Sequence, residues 1–145
     1  MNYSVEATDG MARAGAIETP RGRVLTPAFM PVATQGAVKA LTHEDLEAAG
    51  FSLIMANMYH LSARPGIEAI LRRGGLHRFM SWPGLIATDS GGFQVMSLAK
   101  FRRVDDRGVV FRHPLDGRES ELTPENVQAG QETLGSDLAM CMDEC

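Results

Sequence analysis

Short apolar runs alternate with helical stretches along this chain. Residues 51–56 (FSLIMA) and 84–88 (GLIAT) are apolar without a period-two polar face, which predicts strands buried on both sides. Residues 27–33 (PAFMPVA) read as a third strand interrupted by proline, and residues 137–142 as a fourth. A helix is predicted over 42–49, with Thr42 as N-cap, Asp45 three residues on and Gly50 past its end. A second runs over 67–73, opened by Pro65-Gly66 and stopped by Gly74-Gly75. A third begins at Thr123-Pro124-Glu125, with proline at the first helical position, and closes at Gly135. Ahead of these, residues 3–8 and 12–18 predict a β-hairpin turning at Asp9-Gly10. Residues 101–122 break the rhythm. Their charged strand-like pieces around Asp106-Arg107-Gly108 and Asp116-Gly117 predict an inserted antiparallel β-ribbon.

Four strand-then-helix units in series predict a right-handed parallel α/β sheet. Residues 1–145 are read as one domain, with a hairpin region over 1–25 and about four βα units over 26–145. Polar clusters follow each strand: Thr34-Gln35-Gly36, Asn57-Met58-Tyr59-His60, Asp89-Ser90-Gly91-Gly92 and Asp143-Glu144-Cys145. In a parallel α/β barrel the C-terminal strand ends form the active-site face, so four such clusters converge on one face. A complete (β/α)₈ barrel needs about 250 residues, more than the 145 present.

Composition narrows the function classes. Hydrophobic residues make up 44% and charged residues 22%, which excludes wholesale disorder. Fourteen Lys and Arg against 18 Asp and Glu leave a net charge of −4, which argues against coating nucleic acid by charge alone. Two basic clusters, Arg72-Arg73-His77-Arg78 and Lys100-Arg102-Arg103, read as solvated surface. The two cysteines, Cys141 and Cys145, cannot staple a domain of this size and are a weak metal signal, so no metal site is assigned. No signal-peptide pattern and no membrane-length apolar run occurs, which predicts a reducing cytoplasm.

The stretch Asp89-Ser90-Gly91-Gly92-Phe93-Gln94 carries the densest chemistry. Glycines let a backbone approach a ligand, an aromatic ring covers a flat one, and a glutamine amide both donates and accepts. A tight strand-to-helix turn explains the glycines equally well. A serine nucleophile is disfavoured, because Thr88 and Phe93 do not fit either the protease or the hydrolase-elbow pattern. Asp143, ending an apolar strand, can accept two parallel hydrogen bonds such as a guanine edge offers, or can cap a following helix. The four histidines and nine methionines read as structural and packing residues.

The run Thr88-Asp89-Ser90-Gly91-Gly92-Phe93-Gln94-Val95 resembles the signature of the tRNA-guanine transglycosylases. So, in order, do residues 26–32 (TPAFMPV), Thr34-Gln35-Gly36, Asn57 with Tyr59-His60-Leu61, Arg64-Pro65-Gly66, Gly135-Ser136-Asp137 and Asp143-Glu144-Cys145. Ala33, Ala37 and Met58 depart from the residues more usual in that family.

The resemblance implies the N-terminal part of a (β/α)₈ TIM barrel, carrying an N-terminal β-hairpin and a β-ribbon insertion. It implies an enzyme that exchanges guanine in tRNA, in the bacterial type for the queuine precursor preQ1 at the wobble position. Asp89 would be the general acid/base. Asn57, Ser90 and Gln94 would hold the base, Phe93 would stack on it, Asp143 would read its edge, and Cys145 would lie beside it. The family's nucleophilic Asp and its zinc, held by three Cys and one His, belong to later strands outside this sequence. The resemblance further implies a homodimer. The 145 residues alone are therefore expected not to exchange bases, and half a barrel is expected to expose an unpaired sheet edge. A non-catalytic or split-half subunit that scaffolds a partner is the alternative reading.

Overall fold

A computed structural model of the chain describes residues 1–98, 101–113 and 117–143. Lys100 of the second basic cluster, Asp116 of the second ribbon turn, Glu144 and Cys145 lie outside the described residues.

The chain opens with an antiparallel sheet of β1 (Asn2–Asp9), β2 (Ala12–Thr19) and β3 (Gly22–Thr26), in that order. Gly10 supplies the positive φ that the first turn requires. The hairpin expected from sequence thus gains a third strand. Its turn is set locally: the Thr19 hydroxyl oxygen accepts from the backbone N–H groups of Arg21 (3.1 Å) and Gly22 (3.3 Å).

A second sheet is parallel throughout. Its strands β4 (Val32–Ala33), β5 (Leu53–Asn57), β6 (Leu85–Asp89) and β10 (Leu138–Ala139) lie side by side in chain order. The expected strand over 27–33 shrinks to two residues, because Pro27 and Pro31 have no N–H to give a ladder. The Pro31 carbonyl still accepts from Met55 at 2.9 Å. The expected strand over 137–142 also shrinks to two residues, for a reason given below.

Helices α1 (His43–Ala48) and α6 (Pro124–Leu134) begin in capping boxes, Thr42 with Asp45 and Thr123 with Asn126. Between them come α2 (Met58–Ala63), α3 (Ile67–Arg72), α4 (Leu76–Met80) and α5 (Gly92–Leu98). Sequence reading missed α2 and α4. Asn57 ends β5 and at once caps α2, its side chain accepting from the His60 N–H at 3.1 Å. Gly74-Gly75, taken as a stop, is a joint between two helices. The insert forms an antiparallel sheet of β7 (Arg102–Asp105), β8 (Gly108–Arg112) and β9 (Glu119–Leu122).

The central strands β5 and β6 bury both faces. Ile54, Ala56 and Ile86 pack toward the helices with Leu61, Ile70 and Leu134. Leu53, Leu85 and Ala87 face the other way, against Val24 of β3. The ribbon is fixed to the first core by Val109, Phe111 and Leu122. Among the described residues no helix is long and apolar enough to cross a membrane.

Candidate functional site

Parallel pairing sets the site. Leu53 to Asn57 runs in register with Leu85 to Asp89, so Asn57 and Asp89 stand opposite each other at the C-terminal ends of β5 and β6. The Asn57 amide Nδ2 donates to Asp89 Oδ2 at 2.5 Å, and the Met58 N–H, at the start of α2, donates to Asp89 Oδ1 at 3.2 Å. Asn57 is itself buried and locked by its cap to α2, so the carboxylate of Asp89 is held from one side by donors that cannot rotate away.

Burial lifts the Asp89 carboxyl from its ordinary 3.8 to about 6. The Met58 and Asn57 hydrogen bonds pull it down by less, and the nearby charge of Asp143 pushes it further up. No cation is among these influences. Asp89 therefore changes protonation close to neutral pH, which suits a group that must both give and take a proton.

The second carboxylate arrives from the end of the described chain. Ser90 Oγ donates to Asp143 Oδ1 at 2.7 Å and accepts from the Gly92 N–H at 3.2 Å. The Ser90 proton is thereby committed to Asp143, and its oxygen is shared with a backbone amide. Two glycines permit this closeness. Gly91, at a φ of +83°, sits where a Cβ would come within 2.7 Å of the Tyr59 Cβ, and a Cβ on Gly92 would overlap the Asp143 carbonyl oxygen. The expected strand-to-helix turn is present, and its tightness lets the Asp143 segment approach Ser90 and Gly92.

The queuine tRNA-ribosyltransferase family matches residues 8–145. The chain belongs to this family. It is 54% identical over 144 residues to a queuine tRNA-ribosyltransferase of a Ruegeria species, covering 99% of this chain and 38% of that protein. A queuine tRNA-ribosyltransferase of Thermus thermophilus is 56% identical over 143 residues, with 99% and 37% covered. One from Thioalkalivibrio sulfidiphilus is 53% identical over 145 residues, with 100% and 39% covered. The chain thus spans less than two-fifths of the length of these curated relatives, and the region shared with the queuine tRNA-ribosyltransferases contains the whole Asp89–Asp143 arrangement.

The remaining candidates fall around that pair. Phe93, in the first turn of α5, is 58% exposed, so its ring is open to a flat ligand. Gln94 follows it and is half-buried. Cys145 lies outside the described residues. A cavity of about 520 Å³ touches Gly92, Met142 and Asp143, but it opens toward Val104, Arg107 and Pro124 of the ribbon side rather than over Asp89. The cavity therefore reaches Asp143 but not Asp89, and the hydrogen-bonded carboxylates mark the site better than the cavity does.

Sequence reasoning passed over Gln131. It is fully buried and reaches both β6 and the Asp143 segment. A signal was present: Val127, Gly130, Gln131 and Leu134 form the buried stripe of α6, and Gln131 is its one polar side chain.

Gly92→Ala is expected to force residues 140–143 away from Ser90, because the added Cβ and the Asp143 carbonyl cannot share that space. A crystal structure of the variant should show the Ser90–Asp143 hydrogen bond lost. An unchanged bond would refute the tight packing described.

Proposed function

We propose that this chain supplies the base-recognition and proton-transfer portion of a tRNA-guanine transglycosylase, which replaces guanine at the wobble position of tRNA by preQ1. The observation that carries this reading is the half-buried Asp89 carboxyl, lifted to about 6 and hydrogen-bonded by Asn57 and Met58, with Asp143 held near it by Ser90. The names of the relatives support the substrate class.

In this reading the four parallel strands, laid side by side in chain order, are the opening half of a (β/α)₈ barrel. Asp143 accepts the ring N–H and the exocyclic amine of guanine. Phe93 covers the base, and Asn57 and Gln94 complete its polar contacts. A carboxylate from a later strand attacks the ribose C1′, and the guanine leaves with the electron pair of the glycosidic bond. Asp89, in its acid form, gives the leaving base a proton. It then takes a proton from the incoming base as that base's ring nitrogen bonds C1′ and frees the nucleophile. Two inversions return the original configuration, as in a retaining glycosidase.

The residues described do not fit the family's zinc: no group of three or more His, Cys, Asp or Glu among them could hold a metal ion. Cys141 is exposed and unpaired by a disulfide. No step here runs through a metal. The nucleophile and the zinc ligands belong, in this reading, to residues beyond these 145. The working enzyme is a homodimer in the cytoplasm.

The test is incorporation of radiolabelled guanine into tRNA, by the 145 residues alone and by the same residues joined to the matching remainder of the Ruegeria relative. The joined protein is expected to incorporate label and the 145 residues to incorporate none. Failure of the joined protein, folded by its melting curve, to incorporate guanine or bind it would overturn the proposal.

A further inference from the structure

The ladder between β10 and β6 stops at Ala139, opposite Thr88. Beyond it the Met140 N–H still reaches the Thr88 carbonyl at 3.0 Å, but the segment carrying Asp143 has left the strand. A side chain takes over. Gln131 Nε2 donates to the Met140 carbonyl at 2.8 Å, and Gln131 Oε1 accepts from the Met140 N–H at 3.1 Å. The amide thus grips both backbone groups of one residue, as a neighbouring strand would. Its orientation is fixed from behind: the Thr88 hydroxyl donates to Gln131 Oε1 at 2.7 Å and lies 2.9 Å from Ser136 Oγ. Ser136 Oγ in turn donates to the Gln131 carbonyl at 3.2 Å. Gln131 and Thr88 are both fully buried, so the bond between their side chains is made without competition from water.

We propose that Gln131 is a positioning residue: it holds the Met140–Asp143 segment against β6, and so fixes the Asp143 carboxylate beside Ser90, the place from which it would read a guanine edge. A leucine or methionine would fill the same stripe of α6 equally well. Only an amide offers a donor and an acceptor with the spacing of a peptide group. Thr88 joins the two halves of the device, because it neighbours Asp89 in β6 and fixes the amide that fixes Asp143. This rests on the proposed guanine-binding role of Asp143 for its specificity claim, but not for the positional one.

The test uses the 145-residue chain, Gln131→Met and, as a milder isosteric change, Thr88→Val. Backbone hydrogen exchange is followed residue by residue. Affinities are measured for guanine and for hypoxanthine, which lacks the exocyclic amine. In Gln131→Met the Met140 amide is expected to exchange about tenfold faster, with β5 unchanged. The preference for guanine over hypoxanthine is expected to fall by about tenfold, the loss of one acceptor's placement. Thr88→Val should move both readouts in the same direction by less. Unchanged exchange at Met140 in both variants would overturn the proposal. Faster exchange with an intact guanine preference would overturn its specificity part. A wild-type chain that shows the protected segment but no guanine binding would overturn the base-recognition reading and leave Gln131 as the clamp.

Discussion

Asp89→Asn, in the 145 residues joined to the Ruegeria remainder, is expected to slow guanine exchange by roughly 10²–10⁴-fold, the usual contribution of a positioned acid/base. The asparagine keeps the size of the side chain and can still accept from the Met58 N–H. It cannot exchange a proton, and its own NH₂ would face the Asn57 NH₂. Loss of rate should appear at saturating base, since the proposal gives the base edge to Asp143 and not to Asp89. The pH dependence gives an independent check. Asp89 titrates near 6, so kcat/KM for the step in which it accepts a proton should rise as pH increases through about 6. That limb should vanish in the asparagine variant. Stability moves the opposite way. The folded state binds the Asp89 proton more tightly than the unfolded chain, so this group's contribution is full below its ordinary 3.8 and is lost as pH rises through about 6. Asp89→Asn should flatten that decline in the melting temperature. Wild-type rates, or an unaltered pH limb, would refute the role of Asp89.

Asp137→Ala is expected to be the most damaging single change to the fold, by about 3 kcal/mol or more. Its side chain is 8% exposed and takes three donors: Arg21 Nε at 3.1 Å, His77 Nε2 at 2.9 Å and the Ile86 N–H at 2.8 Å. These come from the turn between β2 and β3, from α4 and from β6. One carboxylate therefore ties the N-terminal sheet and a helix to the parallel sheet, at the end of β6 opposite to Asp89. Removing it strands a buried backbone N–H together with the donors of Arg21 and His77. Burial also holds His77 below the usual imidazole range, with Asp137 opposing and Arg21 assisting that shift. A group with a depressed folded value contributes stability above its ordinary 6.5 and loses it as pH falls. The Asp137→Ala chain should show a lower midpoint in urea at pH 7.5. A midpoint within error of wild type would show that these three bonds carry no net stability.

The elements legible in the sequence are those whose cause is local. Thr42 and Asp45, like Thr123 and Asn126, meet their partners three residues away, so both capped helices can be read directly. The apolar runs of β5 and β6 were equally plain, because a strand buried on both faces has no polar positions to confuse it. The helix α2 was hidden because Asn57 is at once a strand end, an N-cap and a donor to Asp89. The short β10 was hidden because the Gln131 amide takes over from the ladder there.

The candidate site divides along the same line. Asp89, Ser90 and the two glycines stand together in the sequence, and their chemistry suggested a site before any geometry was known. Asp143 could be nominated only as one of two readings, because its partner Ser90 lies 53 residues away. Gln131 is fixed by Thr88 across 43 residues, and Asp137 meets Ile86, His77 and Arg21 across 51, 60 and 116, beyond any local pattern. By itself, then, the sequence determined the capped helices, the apolar strands, the turn chemistry and the run of residues that shows the family. The tertiary structure alone decided the surroundings of each aspartate. Asp137 collects Arg21 and His77 and becomes a fastening. Asp89 meets the neutral donors of Asn57 and Met58 in a half-buried place, and its carboxyl is lifted to about 6. The difference is set by which distant groups folding brings within hydrogen-bond reach.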